Sequence, residues 1–455
     1  MAQGKEVQAY ERPTWSARLG FVAGMMGWTI GLGTVWRFPY TAAMFGGGAL
    51  LIPFFIAMVF CVIPGIIAEI GLGKYVQRGA PVAFGVLWGR VGQVLGWLLP
   101  IVTTSITGYY FVITGWSLKY AFLGLSPSTL LGRSPEELKA VWLATNSGVQ
   151  AMLLALLVVV AGWAVMAREL KKGLEAVCKV MVPLIFVFLG VMTVRSLTLP
   201  GAMEGVKYLF RPNIPTWEQF VQAVGMAFFT GGFGYGNMLI FGSYLKKRDD
   251  VVNSGVICIL GDLSGCLLAA LAMIPIFFAT GATQHLGAGT TLAFISIPTV
   301  LSMTPGGQFI LPLFFLSLFF AAFTSATAFS EVAVGALCDR FRISRRTSAT
   351  IVYLVLATIA VPVAFRPVLV QVIDLSLGTL GYVLSGLIIT VFVAYMWPGG
   401  LEKMRQRVIN PYSDFKVGRW WTVLMWTTVP LIIVLTLYGG LVTQVIPFFS
   451  KLLGG

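Results

Sequence analysis

Apolar residues in this chain neither alternate nor recur every third or fourth position. They run in blocks of about twenty, separated by short polar connections, which is the pattern of helices that cross a membrane. Eleven blocks are expected to span, at 15–44, 48–77, 92–124, 148–167, 175–197, 217–245, 251–280, 308–338, 348–365, 367–397 and 419–449. The chain is therefore expected to be an all-α polytopic membrane protein. Segments 126–146, 198–216 and 281–307 are read as loops on one face. The last, "GATQHLGAGTTLAFISIPTVLSMTPGG", is half apolar and is expected to fold as a short helical hairpin over the mouth of the bundle. The first fourteen residues, "MAQGKEVQAYERPT", are polar, and no cleavable signal peptide is expected.

Two blocks break the pattern. The first contains "GWTIGLGTVWRFPY" (27–40), with Gly27, Gly31 and Gly33 in one window, then Arg37 and Pro39. The sixth contains "AFFTGGFGYGNMLIFGSY" (227–244), with Gly231, Gly232, Gly234 and Gly236. A glycine weakens a helix by up to ~1 kcal/mol relative to alanine, and unpaired backbone in lipid costs several kcal/mol per group. If the chain is two five-helix repeats, both repeats open with a glycine-interrupted span. That pairing points to discontinuous helices around a midplane binding site. There, half-helix N-termini face anions and unwound carbonyls face cations. Close helix packing is the competing explanation for either run alone.

Composition agrees: 57% of residues are hydrophobic and 11% charged. The net charge of +14 does not indicate nucleic acid. About 22 of the 31 Lys and Arg fall in alternate connections or at the N-terminus, including "ARELKKGLEAVCK" (167–179), "KKRDD" (246–250), "DRFRISRR" (339–346) and "EKMRQR" (402–407). This bias places the N-terminus in the cytoplasm, and an odd number of spans places the C-terminus outside an inner (plasma) membrane. Five cysteines lie in or beside the spans without CxxC spacing and read as buried hydrophobes. His285 alone cannot make a metal site. No nucleotide-binding loop is present for a pump. "LGDLSG" (260–265) lacks, at Ile259, the second glycine of an intramembrane protease motif. No enzyme is expected.

Seven segments in order carry a resemblance: "WSARLGF" (15–21), "GLGTVWRFPY" (31–40), "FGGGALLIPF" (45–54), "GYYFVITGW" (108–116), "KGLEAVCKVMVP" (172–183), "FFAAFTSATA" (319–328) and "IDLSLGTLG" (373–381). Through them nearly the whole chain resembles the neurotransmitter:sodium symporter family, most of all its bacterial eleven-span amino-acid transporters. The resemblance implies two inverted five-helix repeats with discontinuous spans 1 and 6, plus an eleventh span. The parts are then a cytoplasmic tail (1–14), a first repeat (15–197), an outer loop (198–216), a second repeat (217–397), a cytoplasmic loop (398–418), and span 11 with an outer C-terminus (419–455).

The resemblance also implies roles. One sodium ion would sit on the carbonyls of Gly27, Ile30 and Ala321 and the hydroxyls of Thr324 and Ser325. A second would use Thr29, Thr34, Thr230, Asp262 and the substrate's carboxylate. Thr34 stands where the family has Asn, and Asp262 is read as a fixed negative charge that removes any need for chloride. A buried carboxylate that stays protonated, or that carries a proton, remains open. The N–H groups of Leu32 and Gly33 and the Tyr110 hydroxyl would hold a carboxylate. Carbonyls of Thr29, Phe229 and Thr230 would hold an ammonium. Gly31 leaves room for the carboxylate of an α-amino acid. Trp28, Ile106, Phe229, Gly232, Tyr235, Ser325 and Phe329 would line a side-chain pocket with no ionised group, suiting a neutral, apolar side chain. Arg37 and Asp374 would form an outer gate, altered by Met226 in place of the usual Gln. Arg12, Trp15 and Asp339 would form an inner one. Gly173 and Pro183 would be a hinge. Glu69 is expected to stabilise the unwound part of span 6, and Glu331 to be structural. The implied activity is sodium-coupled symport of a neutral amino acid by alternating access in a lipid bilayer, with no obligate protein partner. The alternatives are proton coupling on the same fold, or a transporter-like amino-acid sensor.

Overall fold

The computed structural model describes residues 13–283 and 291–454, and among them there are helices and no strands. Among the described residues nine helices are long and apolar enough to span. Span 1 adds a tenth as a bent pair, Arg18–Thr29 and Gly33–Met44, whose halves meet at 52°. Span 6 falls into Trp217–Gly231 and Asn237–Gly242, too short singly to cross, which completes the eleven expected. The others are Gly48–Val76, Leu98–Gly124, Gly148–Met166, Leu174–Leu197, Val252–Ala279, Gly307–Phe341, Arg345–Phe365, Val368–Tyr395 and a final stretch from Arg419 to Leu452.

Polar bonds sort the connections onto two faces. Arg345 Nε donates to Arg168 O, and Asp414 N to Asp250 Oδ2, joining the basic connections on one face. Gly132 N donates to Ser302 Oγ, Arg195 to Pro305 O, and Tyr208 OH to Ala43 O on the opposite face. Spans 3 and 8 pack along their length in the centre, and the two broken spans lie beside them.

Two expectations for the connections need correction. The segments 126–146 and 198–216 are not plain loops. They contain helices Pro135–Asn146 and Ala202–Phe210, the former started by a capping box in which Ser134 and Glu137 each accept the other's backbone N–H. Span 3 is preceded by a further helix, Ala80–Gly96, kinked at Trp88 and Gly89. Of the hairpin in 281–307, a helix over Leu292–Ser302 is present; the other arm, with His285, lies outside the described residues. All five cysteines are buried and free.

Candidate functional site

The breaks in spans 1 and 6 face each other. The first half of span 1 ends at Ile30, where ψ of 77° leaves the helix. Gly31 N turns back onto Thr29 O at 2.9 Å, and a π-helical turn, Gly33–Arg37, restarts the span. The N–H groups at this restart have no preceding turn to bond. A Cβ on Gly31 would collide with Ser325 Oγ, and one on Gly33 would come 2.8 Å from the Phe229 ring. Both glycines are therefore required by close approach. In span 6, Gly232, Gly234 and Gly236 take φ of +77°, +96° and +85°, a region that side chains resist. The fully buried Glu69 of span 2 accepts Gly234 N at 3.1 Å and Leu239 N at 3.3 Å, as expected of it.

Two clusters of oxygens flank the break in span 1. In the first, Ser325 Oγ lies 3.2 Å from Gly27 O and 2.9 Å from Trp28 O, while Thr324 Oγ1 lies 3.2 Å from Ala321 O. Ile30, the remaining expected contributor, sits at the break itself. In the second, Thr34 Oγ1 is 3.0 Å from Thr29 O and 2.8 Å from Asp262 Oδ1. Among the described residues Asp262 Oδ2 has no hydrogen-bond partner of ordinary geometry, and Thr230 lies alongside the carboxyl. A hydroxyl carries one hydrogen, so each cluster has more acceptors than donors. Such a set suits a dehydrated cation. Both sets consist of oxygens, neutral except for the Asp262 carboxyl, which are hard donors.

Beside these oxygens lies an aromatic group. Trp28 meets Phe329 edge-on at 4.1 Å and Tyr235 at 5.2 Å, and Phe329 meets Tyr110 at 5.2 Å. Ile106 is buried one turn before Tyr110 on span 3. Gly232 backs onto the Trp28 indole, where a Cβ would come 2.9 Å from Cε2. The expected pocket residues thus gather around the two breaks.

Toward the opposite face, a cavity of about 210 Å³ ends on Leu32, Tyr110 and Phe229. Arg37 Nη1 lies 3.4 Å from Asp374 Oδ2 across it, and its guanidinium covers the Phe229 ring at 4.4 Å. The two side chains retain 31% and 23% exposure. Met226 lies beside Thr41, next to this pair. Toward the basic face, the buried Trp15 donates to Phe241 O at 3.1 Å and packs edge-on against Phe21 and Phe241. Asp339 accepts Gly79 N at 2.5 Å, tying span 8 to the connection after span 2. Arg12 lies outside the described residues. Gly173 precedes Leu174–Leu197, and Pro183 sits inside that helix, where it cannot bond the carbonyl four residues earlier.

Four residues escaped the sequence reading. Tyr109 donates to Asp374 Oδ1 at 2.7 Å. Tyr382 stacks on Tyr235 at 4.6 Å and donates to Gly225 O. Asn237 donates to Ala328 O at 2.6 Å, fastening the lower half of span 6 to span 8. Arg345 makes two 2.7 Å bonds to the buried Glu331, which also accepts from Tyr244, so the structural role expected for Glu331 has its partners. Tyr109, Asn237 and Arg345 lie inside segments already singled out, "GYYFVITGW", "AFFTGGFGYGNMLIFGSY" and "DRFRISRR", and Tyr382 directly follows "IDLSLGTLG".

A profile of the sodium:neurotransmitter symporter family matches residues 12–131 and 140–451. The uncharacterized sodium-dependent transporter MJ1319 of Methanocaldococcus jannaschii is 30% identical over 459 residues, covering 93% of this chain and 89% of that one. The sodium-dependent serotonin transporter of Drosophila melanogaster is 26% identical over 480 residues, covering 94% of this chain and 76% of its own. Among solved structures, MhsT in complex with L-phenylalanine is similar with a TM-score of 0.84 and 26% identity, over 94% of this chain and 100% of the other.

Proposed function

We propose how this chain works from one premise: it belongs to the sodium:neurotransmitter symporter family. It is thus a multi-pass membrane protein of a sodium-dependent transporter family. Within that family we read it as a symporter importing a neutral, largely apolar α-amino acid, driven by sodium and independent of chloride. The observation that carries this reading is the pair of acceptor-rich oxygen clusters on either side of the break in span 1.

The cluster of Gly27, Ile30, Ala321, Thr324 and Ser325 would hold one sodium ion through neutral oxygens. The cluster of Thr29, Thr34, Thr230 and Asp262 would hold a second, with the Asp262 carboxylate supplying the charge that chloride supplies elsewhere in the family. Leu32 N–H, Gly33 N–H and the Tyr110 hydroxyl would take the substrate's carboxylate, whose oxygen would complete the second ion's shell. Carbonyls at Thr29, Phe229 and Thr230 would take its ammonium. This arrangement couples substrate to ion, because each lends the other a ligand. Gly31 supports an amino acid: a side chain there would occupy the carboxylate's place and strike Ser325. The phenylalanine in MhsT supports an apolar side chain.

In the cycle, Arg37, Asp374 and Phe229 would close over the loaded site. The repeats 15–197 and 217–397 would then rock, and Trp15 and Asp339 would give way on the basic face, which the positive-inside rule assigns to the cytoplasm. Span 5 would unwind between Gly173 and Pro183 to let water reach Thr324 and Ser325. Pro183 already leaves one carbonyl of that helix without a donor. Replacing it with Ala restores the bond and is expected to slow inward release several-fold with little change in outside affinity. Stopped-flow sodium efflux from liposomes measures this, and unchanged turnover would count against the hinge.

The transport reading is tested by uptake of labelled amino acids into liposomes holding the purified chain. A sodium or a proton gradient is imposed, each with and without chloride. Sodium-driven, chloride-indifferent uptake of a neutral amino acid is expected. Uptake driven by protons alone would convert the Thr34–Asp262 cluster from an ion site to a proton site.

A further inference from the structure

Two polar groups in the aromatic pocket have no partner among the described residues. The Trp28 Nε1–H and the Tyr235 hydroxyl are both buried and unbonded, although both residues are at most 3% exposed. Leaving a buried donor unpaired is costly, and such groups in folded proteins almost always find a partner in protein, water or ligand. These two belong to one place. Their rings meet edge-on at 5.2 Å, and each packs on Phe329, Trp28 at 4.1 Å and Tyr235 at 5.3 Å. The indole nitrogen lies over Gly232, in the space its missing side chain leaves. The Tyr235 ring is held by parallel stacking on Tyr382 at 4.6 Å, so its hydroxyl is positioned without being bonded.

The remainder of the substrate does not use them. The carboxylate is assigned to Leu32, Gly33 and Tyr110, and the ammonium to carbonyls. Neighbouring hydroxyls are committed elsewhere: Tyr109 to Asp374 and Tyr382 to Gly225 O. What remains for Trp28 and Tyr235 is the side-chain end.

We infer that Trp28 Nε1–H and the Tyr235 hydroxyl form a donor pair that selects amino acids whose side chain, otherwise apolar, carries a hydrogen-bond acceptor. This rests on the transport reading above and narrows its substrate class. A wholly apolar side chain fills the same aromatic walls but leaves both donors bare. A site built to hydrogen-bond a substrate group discriminates strongly against the analogue that lacks it. An aliphatic or aromatic side chain with one hydroxyl satisfies both requirements.

The test compares two pairs differing by one oxygen, threonine with valine and tyrosine with phenylalanine. Sodium-driven uptake into liposomes is measured over a concentration range, and the ratio of kcat/KM within each pair is read. The wild-type chain is expected to favour the oxygen-bearing member of at least one pair by about tenfold. Tyr235→Phe, which keeps the ring and removes the donor, and Trp28→Phe, which removes the donor and leaves a smaller aromatic ring, are each expected to bring that ratio close to one, whatever the absolute rate. A sodium-dependent rise in melting temperature of the purified variant checks that it is folded. If a variant fails that check, the wild-type ratio decides alone. A wild-type ratio at or below one in both pairs overturns the inference and leaves the transport reading intact. So does a ratio that both folded variants preserve, the outcome expected if an ordered water satisfies the two donors. Uptake of none of the four under a sodium gradient overturns the transport reading as well.

Discussion

Asp262→Asn is expected to lower sodium-driven uptake at least about a hundredfold in chloride-free medium, the cost of removing one partner from a buried charge pair. Asp262 is fully buried in span 7. One oxygen faces Thr34 at 2.8 Å; the other makes no hydrogen bond of ordinary geometry among the described residues, with Thr230 nearby. An ionised carboxylate in that position needs a cation, and a cation held there needs the carboxylate. Asparagine keeps the shape and the oxygen near Thr34 but not the charge. The resemblance to family members that recruit chloride adds a second expectation. Chloride should restore part of the variant's uptake and leave the wild type unaffected. Labelled amino-acid uptake in liposomes, with gluconate or chloride as the anion, reads both effects. Full sodium-driven uptake by the variant without chloride would remove Asp262 from the ion site. Loss of a proton-driven uptake that never responded to sodium would assign it to proton transfer.

The breaks in spans 1 and 6 were legible because glycine is the residue whose conformational freedom is visible in a string of letters. Gly232, Gly234 and Gly236 do take positive φ, and Gly31 has a side chain of span 8 against its missing Cβ. Contacts across the bundle were legible only through family resemblance. Thr34 and Asp262 are 228 residues apart, and no periodicity joins them. Tyr109 and Tyr382 were missed for the same reason, and because Tyr109 stands next to Tyr110, about 100° around the helix, so that only one was given a role. Arg345 read as a basic loop residue because charge bias describes which face a loop is on, not which buried acid its side chain can reach. The helix at Pro135–Asn146 is legible too, not in apolar length but in its start signal, Ser134, Pro135 and Glu137.

The same acceptor–donor accounting that leaves one oxygen of Asp262 unbonded among the described residues shows Glu69 surrounded by donors. Its carboxylate reaches Gly234 N and Leu239 N, on either side of the start of Asn237–Gly242, and the N–H groups of Gly236 and Met238 also face it. It therefore does for span 6 what a preceding turn of helix would have done, and its negative charge sits at the positive end of that half-helix. Glu69→Ala leaves these donors bare inside the bundle, at ~1–3 kcal/mol for each. The variant is expected to melt several degrees lower in detergent and to lose at least about thirtyfold in uptake. Glu69→Gln is the sharper test. Its amide keeps one acceptor oxygen but turns two hydrogens toward the same N–H groups, so it should recover little of the loss. Thermal melting and sodium-driven uptake of the two variants separate the possibilities. If Gln behaves as the wild type, Glu69 fills space and its charge is incidental. If both variants fail, the break that exposes the ligand oxygens of span 6 is held open by a carboxylate on span 2, and the broken helix and the buried acid are one device.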